Sequence, residues 1–142
     1  MRISDLLRDK GSAVATVSPT TSVTELLGEL SKHNIGATVV LDGDNVVGIV
    51  SERDIVRRLA ERGAELLGAA IGEIMTRSVV TCSPNDSVDS LAATMTERRI
   101  RHMPVLSSGR LVGIVSIGDV VKSRISQLET DREQLESYIA QG

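Results

Sequence analysis

A chain of 142 residues with 41% apolar content is long enough to bury one hydrophobic core, or two small units that share a core. Its apolar residues are almost all aliphatic, with one Tyr and no Phe or Trp, which argues against the aromatic stacking platforms of single-strand nucleic-acid binders. A net charge of -3 also argues against a nucleic-acid partner, because such a chain lacks the broad positive field that a phosphate backbone requires.

One cysteine cannot form an internal disulfide, and no apolar run approaches the length that crosses a membrane. The N-terminus lacks the apolar stretch of a signal peptide. We therefore expect a soluble, cytoplasmic protein with no membrane partner.

The first half of the chain predicts a short strand, a helix, a β-hairpin and a second helix. Val14–Val17 is the strand, and apolar residues at helical spacing over Val23–Leu30 predict an amphipathic helix that Ser22 opens in a capping box. Thr38–Leu41 and Val46–Val50 flank a run of turn residues and predict the hairpin. Because the hairpin strands are continuously apolar, we expect both of their faces to be covered.

The second half repeats the first. Val17–Val56 aligns without a gap onto Cys82–Val121, an offset of 65 residues. Upstream, Ile3–Leu7 corresponds to Ile71–Met75, and the first copy is about three residues longer before its Ser-Pro. The copied elements are a strand at Val79–Thr81, a helix over Val88–Met95, and hairpin strands at Met103–Leu106 and Leu111–Val115.

Two such units can bury the apolar face that one unit alone leaves exposed to solvent. We predict unit boundaries at residues 1–67 and 68–142, packed about a pseudo-two-fold axis, with Ile49 and Ile114 on buried inner strands. The last helix is the longer one, and its apolar stripe from Val121 to Ile139 predicts contact with a second copy in a homodimer, or with another regulated protein.

A Ser-x-x-Asp motif follows each hairpin, at Ser51–Asp54 and Ser116–Asp119. One interpretation is structural, since Ser and Asp at this spacing cap a helix. The other is functional: the free amides and the hydroxyl bind a phosphate while the carboxylate accepts ribose hydroxyls. The two are compatible, because the geometry that caps a helix also forms an anion site.

The duplicated set, Ser-Pro, Gly-Ile-Val-Ser-x-x-Asp and the Ile-Arg-His-Met-Pro-Val of Ile100–Val105, resembles the cystathionine-β-synthase (CBS) domain family. The resemblance covers nearly the whole chain and implies a mixed α/β (α+β) fold, a tandem CBS-domain pair of two β-α-β-β-α units that together form a Bateman module. It further implies a regulatory, signal-transduction role with an adenosyl ligand: AMP or ATP first, with NAD or S-adenosylmethionine as further candidates.

The resemblance also implies two clefts, each built across the repeats. The first combines Ile49, Ser51, Arg53 and Asp54 with Val79, Val80, Ile100, Arg101, His102 and Met103. The second combines Ile114, Ser116 and Asp119 with Val14, Ala15, Ile35, Gly36 and Ala37.

The two copies differ where a phosphate would lie. Arg101-His102 of the second copy aligns with Gly36-Ala37 of the first, so we expect only the Asp54 cleft to prefer phosphorylated ligands. A solvated helix end explains the arginines near Arg98 equally well. The alternative function is a ligand-free dimerisation or protein-interaction scaffold in which both Ser-x-x-Asp motifs only cap helices.

The remaining candidates favour structural roles. His33 lies at a predicted helix end, and Cys82 aligns with Val17, which indicates a small buried hydrophobe. No phosphate-binding loop, dinucleotide fingerprint, HExxH or Cys/His cluster occurs, so we predict no enzyme activity, no catalytic cofactor and no metal site.

Overall fold

The computed structural model describes residues 1–11 and 13–141. The first repeat contains α1 (Ile3–Lys10), β1 (Thr16–Val17), α2 (Val23–His33), β2 (Ala37–Asp42), β3 (Asn45–Ser51) and α3 (Glu52–Arg62). Two 3₁₀ turns, Gly63–Gly68 and Ile71–Glu73, connect the repeats. The second repeat contains α4 (Val88–Arg98), β4 (His102–Ser107), β5 (Arg110–Ser116) and α5 (Ile117–Gln141).

The two helices that precede the hairpins begin and end alike. The Ser22 hydroxyl accepts from the Glu25 amide at 3.1 Å at the start of α2, and Ser87 does the same for Ser90 at 3.0 Å at the start of α4. Asn34 and Arg99 end these helices in the left-handed conformation. Equivalent capping at equivalent positions confirms the predicted repeat of the helices.

The hairpins also match the prediction, with one difference in burial. β2 pairs antiparallel with β3, and β4 with β5, in equivalent registers. Residues 37–40 of β2 are buried on both faces, but β3 and β5 alternate, so that Val50 and Val115 are buried while Ile49 and Ile114 are only half-buried. The expectation that Ile49 and Ile114 lie in a fully covered layer is therefore wrong.

The strands before each Ser-Pro are shorter than predicted. Only Thr16–Val17 of the first is a strand, parallel to β2. Val79–Thr81 forms no strand, and only Cys82 bridges Val105 in the second repeat. A single bridge at Cys82 does not extend to the preceding residues, so Val79–Thr81 adopts an irregular backbone path.

Each core contains a segment from the other repeat. Ile3, Leu6 and Leu7 of α1 pack in the core of the second repeat, whereas Ile71, Ile74 and Met75 pack in the core of the first. The exchange explains a glycine in each Gly-Ile-Val-Ser motif. A Cβ on Gly113 would lie 2.7 Å from Leu7 Cδ2, and one on Gly48 would lie 2.5 Å from Met75 Sδ.

Candidate functional site

The Ser-x-x-Asp motifs cap their helices in the same way. Ser51 donates to Asp54 Oδ2 from its backbone amide at 2.8 Å and from its hydroxyl at 3.0 Å. In return, the Asp54 amide donates to Ser51 Oγ at 3.4 Å. Ser116 and Asp119 form the same bonds at 2.8, 3.0 and 3.2 Å. The capping role predicted from the sequence is therefore confirmed in both copies.

A cavity of about 290 Å³ lies beside Asp54, between the two repeats. It brings together nine of the ten residues predicted for the first cleft: Ile49, Ser51, Arg53, Asp54, Val79, Val80, Ile100, Arg101 and His102. The size lies near the lower end of the ~300–1,000 Å³ typical of small-molecule sites. We call this space the Asp54 cavity.

Met103 is the predicted residue that the Asp54 cavity lacks. Its side chain is 1% exposed and belongs to the core of the second repeat. Successive residues of a strand point to opposite faces, so the neighbours of Met103, His102 and Pro104, line the cavity instead. We therefore remove Met103 from the candidate site and add Pro104.

Ala37 lies on a different side from the one predicted. The sequence assigned it to the second cleft, but it pairs with Ser51 across the first hairpin and lines the Asp54 cavity. The hairpin register explains the difference, because a residue opposite Ser51 shares its end of the sheet.

Sequence reasoning missed several lining residues: Glu52, Arg57, Thr76, Ser78, Arg99 and Pro104. Helical spacing could have indicated Arg57, which follows Asp54 by three residues on α3. Thr76 has no such signal, because an antiparallel bridge to Ile49, with bonds of 2.9 and 3.0 Å, brings it to the cavity.

The Asp54 cavity carries excess positive charge. Its lining includes four arginines and two carboxylates: Arg53, Arg57, Arg99, Arg101, Glu52 and Asp54. Burial, and then the charge of Lys10, lower the pKa of His102 and favour its neutral form. The arginines come from both repeats, so an anion at this position would contact both.

The second cleft differs because a lysine reaches its carboxylate. Lys10 Nζ donates to Asp119 Oδ2 at 2.6 Å and to the Ile114 carbonyl at 2.7 Å. Burial alone raises the pKa of Asp119, but the hydrogen bonds from Lys10 and Ser116 and the Lys10 charge outweigh it. The pKa of Asp119 therefore lies below its ordinary value.

Asp119 lines a space of about 450 Å³ between α1 and α5, together with Lys10, Lys122 and Ser123, and this space contains none of the other residues predicted for the second cleft. Val14 and Ala15 are half-buried between α1 and β1, and Ile35 packs against the core of the first repeat. The Asp54 cavity therefore holds nine of the ten residues predicted for the first cleft, whereas the space beside Asp119 holds only Asp119 of the second set.

His33 and Cys82 have the structural roles that the sequence favours. His33 Nε2 lies 3.2 Å from Glu29 Oε2 in the last turn of α2, with both side chains exposed. Cys82 packs against the core of the second repeat. Burial, and then the charge of Asp86, raise its pKa to about 12, so the thiol stays protonated at neutral pH.

Comparison with known proteins agrees with the repeat and the fold. Residues 3–61 and 71–126 match the sequence profile of the CBS domain. The chain belongs to the CBS domain family. The structure of this CBS domain pair has a TM-score of 0.84 to the CBS-domain containing protein ATU1752 from Agrobacterium tumefaciens. That protein is 48% identical, over 87% of this chain and 99% of its own.

Two further relatives are informative. The CBS domain-containing protein YhcV of Bacillus subtilis is 32% identical over 80% of each chain. The CBS domain pair of protein MJ0100 was crystallised in complex with 5′-methylthioadenosine and S-adenosyl-L-methionine. It is 30% identical, with a TM-score of 0.80 over 89% of this chain and 98% of its own. The predicted tandem CBS-domain fold is thus confirmed.

Within residues 1–11 and 13–141, no helix combines the length and apolar character needed to cross a bilayer. The cytoplasmic location and the unit boundaries at residues 1–67 and 68–142 stay predictions.

Proposed function

We propose that this CBS domain pair is a regulatory sensor that binds an adenosyl ligand in the Asp54 cavity. One observation carries the proposal: the cavity joins a helix N-terminus, aliphatic side chains and four arginines drawn from both repeats. The complex of the MJ0100 domain pair with two adenosyl compounds supports the choice of ligand class. The cavity's polar groups are suited to binding, and we assign none of them a catalytic role.

The adenine ring would lie between aliphatic side chains. Ile49, Val80 and Ile100 line the cavity and are half-buried, so each has apolar surface to cover. The single aromatic residue, Tyr138, is 76% exposed near the far end of α5 and cannot stack on a base in this cavity. Val80 lies outside regular structure, which leaves its backbone groups available to read the edge of the base.

The ribose would bind at Asp54. Both hydrogen bonds from Ser51 end on Oδ2, and within residues 1–11 and 13–141 no hydrogen bond reaches Oδ1. A carboxylate oxygen accepts strong hydrogen bonds from hydroxyl groups. Capping and ribose binding can therefore use different oxygens of one side chain.

The cavity's charge favours a phosphorylated ligand. Arg53 and Arg57 approach from α3, while Arg99 and Arg101 approach from the other repeat. Against two carboxylates, these four cations favour AMP, ATP or NAD over S-adenosylmethionine, whose sulfonium carries positive charge. The aliphatic and ribose surfaces thus support an adenosyl ligand, and the arginines support the preference for a phosphorylated one.

We also propose that the protein acts as a homodimer. α5 has 25 residues, about 37 Å at 1.5 Å per residue, and extends beyond the repeat core. Its exposed apolar residues, spaced by three, four and seven positions, are Val121, Ile125, Leu128, Leu135 and Ile139. This spacing follows a heptad seam and favours pairing with a second helix of the same kind. The same stripe suits the ligand-free scaffold, which is the second candidate function.

A thermal-shift experiment separates the sensor from the scaffold. AMP, ATP, NAD, S-adenosylmethionine and adenosine are each added at a concentration near a hundred times the dissociation constant. A true ligand then stabilises the fold by about 2.7 kcal/mol, or about 5–10 °C in melting temperature. We expect AMP or ATP to give the largest shift. If none of the five shifts the melting temperature, the scaffold is the better account.

A further inference from the structure

Lys10 is hydrogen-bonded to two groups of the second cleft, and their repeat equivalents in the first cleft line the proposed ligand site. Its ammonium lies 2.6 Å from Asp119 Oδ2, and Asp119 is the repeat equivalent of Asp54. It also donates to the carbonyl of Ile114, the repeat equivalent of Ile49. The two charged side chains are only 31% and 22% exposed, so solvent screens the pair weakly.

The repeat alignment shows what stands at this position in the other copy. Extending the match of Ile3–Leu7 with Ile71–Met75 pairs Lys10 with Ser78. The contacts of Leu7 with Gly113 and of Met75 with Gly48 support this pairing. Ser78 is short and lines the Asp54 cavity, whereas Lys10 is long and reaches into the equivalent place.

A difference in local structure between the two repeats places Lys10 beside Asp119. α1 stays helical as far as Lys10, and Gly11 ends it with a φ of 98°. The equivalent segment of the second repeat is a 3₁₀ turn that ends at Glu73, after which Thr76 bridges Ile49. The longer helix holds the Lys10 side chain beside Asp119. At the equivalent position of the other cleft, the second repeat contributes small polar residues to the Asp54 cavity.

We propose that Lys10 takes the place of a ligand at Asp119, so that the domain pair binds one nucleotide per chain and not two. This inference rests on the proposed function of the Asp54 cavity. A ribose at Asp119 would have to approach Oδ1 beside an ammonium that is hydrogen-bonded to Oδ2, the oxygen that already accepts two bonds from Ser116. The incoming ligand finds fewer cations there, because Gly118, Asn34 and Gly36 stand where Arg53, Arg99 and Arg101 stand in the other cleft, and only Arg57 has a cationic equivalent, Lys122.

Counting bound ligand tests the inference. Isothermal titration and native mass spectrometry measure the AMP and adenosine bound per chain in the wild type and in Lys10→Ser, which installs the residue of the other repeat. We expect one ligand for the wild type and two for Lys10→Ser. The added site should prefer AMP over adenosine less strongly than the Asp54 cavity does, because only one of the four arginines has a cationic equivalent there, Lys122. Lys10→Arg, which keeps the charge, should still bind one.

Two double variants assign the added site. Lys10→Ser with Asp119→Ala should return the count to one, and Lys10→Ser with Asp54→Ala should also leave one ligand, now at Asp119. Melting temperatures are measured first, and Lys10→Gln replaces Lys10→Ser if that variant unfolds.

The outcomes separate this inference from the proposed function. Two ligands on the wild type, or no gain in Lys10→Ser, overturns the role of Lys10. A wild type that binds none beside a Lys10→Ser variant that binds one refutes the Asp54 site and supports the role of Lys10. If neither protein binds ligand, both proposals fail.

Discussion

The Asp54 and Asp119 clefts begin with the same motif and differ in what neighbouring segments bring to it. Both carboxylates accept two hydrogen bonds from the serine three residues earlier. At Asp54 the neighbours are arginines and small polar residues around a cavity, whereas at Asp119 the neighbour is the ammonium of Lys10. A duplicated motif therefore predicts a duplicated helix cap, and the surroundings decide whether the cap can also hold a ligand.

The exchange of N-terminal segments determines those surroundings, and its removal should have the largest effect on stability. Leu7 and Met75 are 8% and 9% exposed, each in the core of the opposite repeat. Leu7→Ala and Met75→Ala should each lower the free energy of unfolding by about 2–5 kcal/mol, measured by urea denaturation. Val56→Ala, at a side chain 65% exposed, is the control and should change it by under about 0.5 kcal/mol. Losses as small as the control's would contradict the exchange.

The two helices that follow the clefts provide a second contrast. Val56 on α3 and Val121 on α5 are equivalent and both exposed, but only α5 continues for several further turns. Truncation after Lys122 removes four large exposed aliphatic residues of the stripe, each worth about 1.5–3 kcal/mol when fully buried. We expect the dimer dissociation constant to rise about a hundredfold or more in sedimentation experiments. A full-length protein that is monomeric at micromolar concentration would refute the dimer.

Arg101 contributes to the difference in charge between the Asp54 and Asp119 clefts, because its equivalent in the first repeat is Gly36. A charge-assisted hydrogen bond to phosphate is worth about 1.5–3 kcal/mol, so Arg101→Ala should weaken AMP binding by about tenfold or more. Adenosine binding should stay nearly unchanged, as titration calorimetry of both ligands can show. Equal losses for AMP and adenosine would mean that Arg101 supports the fold and does not contact phosphate.

The smallest expected effect is the acid response of the Lys10–Asp119 pair. The folded pKa of Asp119 lies below its unfolded value, so the carboxylate adds stability at higher pH and loses it as pH falls through the folded pKa. Thermal unfolding of the wild type and Lys10→Ser between pH 6 and pH 3 should show a smaller acid-induced loss in the variant, by about 1 kcal/mol. Parallel curves would show that the pair adds no stability.

The sequence predicts the local parts of this molecule well. Helical spacing and the Ser-x-x-Asp caps indicated α2, α3, α4 and α5, and the repeat indicated both hairpins. The resemblance to the CBS domain family implied most of the residues of the Asp54 cavity. Strand alternation could also have separated Met103 from Pro104, since neighbouring residues of a strand face opposite sides. The helices and hairpins depend on neighbours close in the chain, which is why one sequence suffices for them.

Contacts between distant segments were not predictable. Lys10 reaches Asp119 across 109 residues, and no spacing rule connects them. The three extra residues before the first Ser-Pro were visible in the sequence, but their effect depends on α1 packing in the opposite repeat. Thr76 joins the cavity through a single bridge to Ile49, which leaves no periodic pattern.

AMP titration of the matched pair Asp54→Ala and Asp119→Ala tests whether the Asp54 cavity binds a nucleotide. Each variant removes the same helix cap, and Asp119→Ala also removes the partner of Lys10. If both aspartates only cap helices, Asp119→Ala should therefore lower AMP affinity at least as much as Asp54→Ala does. A nucleotide site at Asp54 instead predicts that Asp54→Ala weakens AMP binding by about tenfold or more while Asp119→Ala leaves the affinity close to that of the wild type. Equal affinity in Asp54→Ala and the wild type would contradict the site.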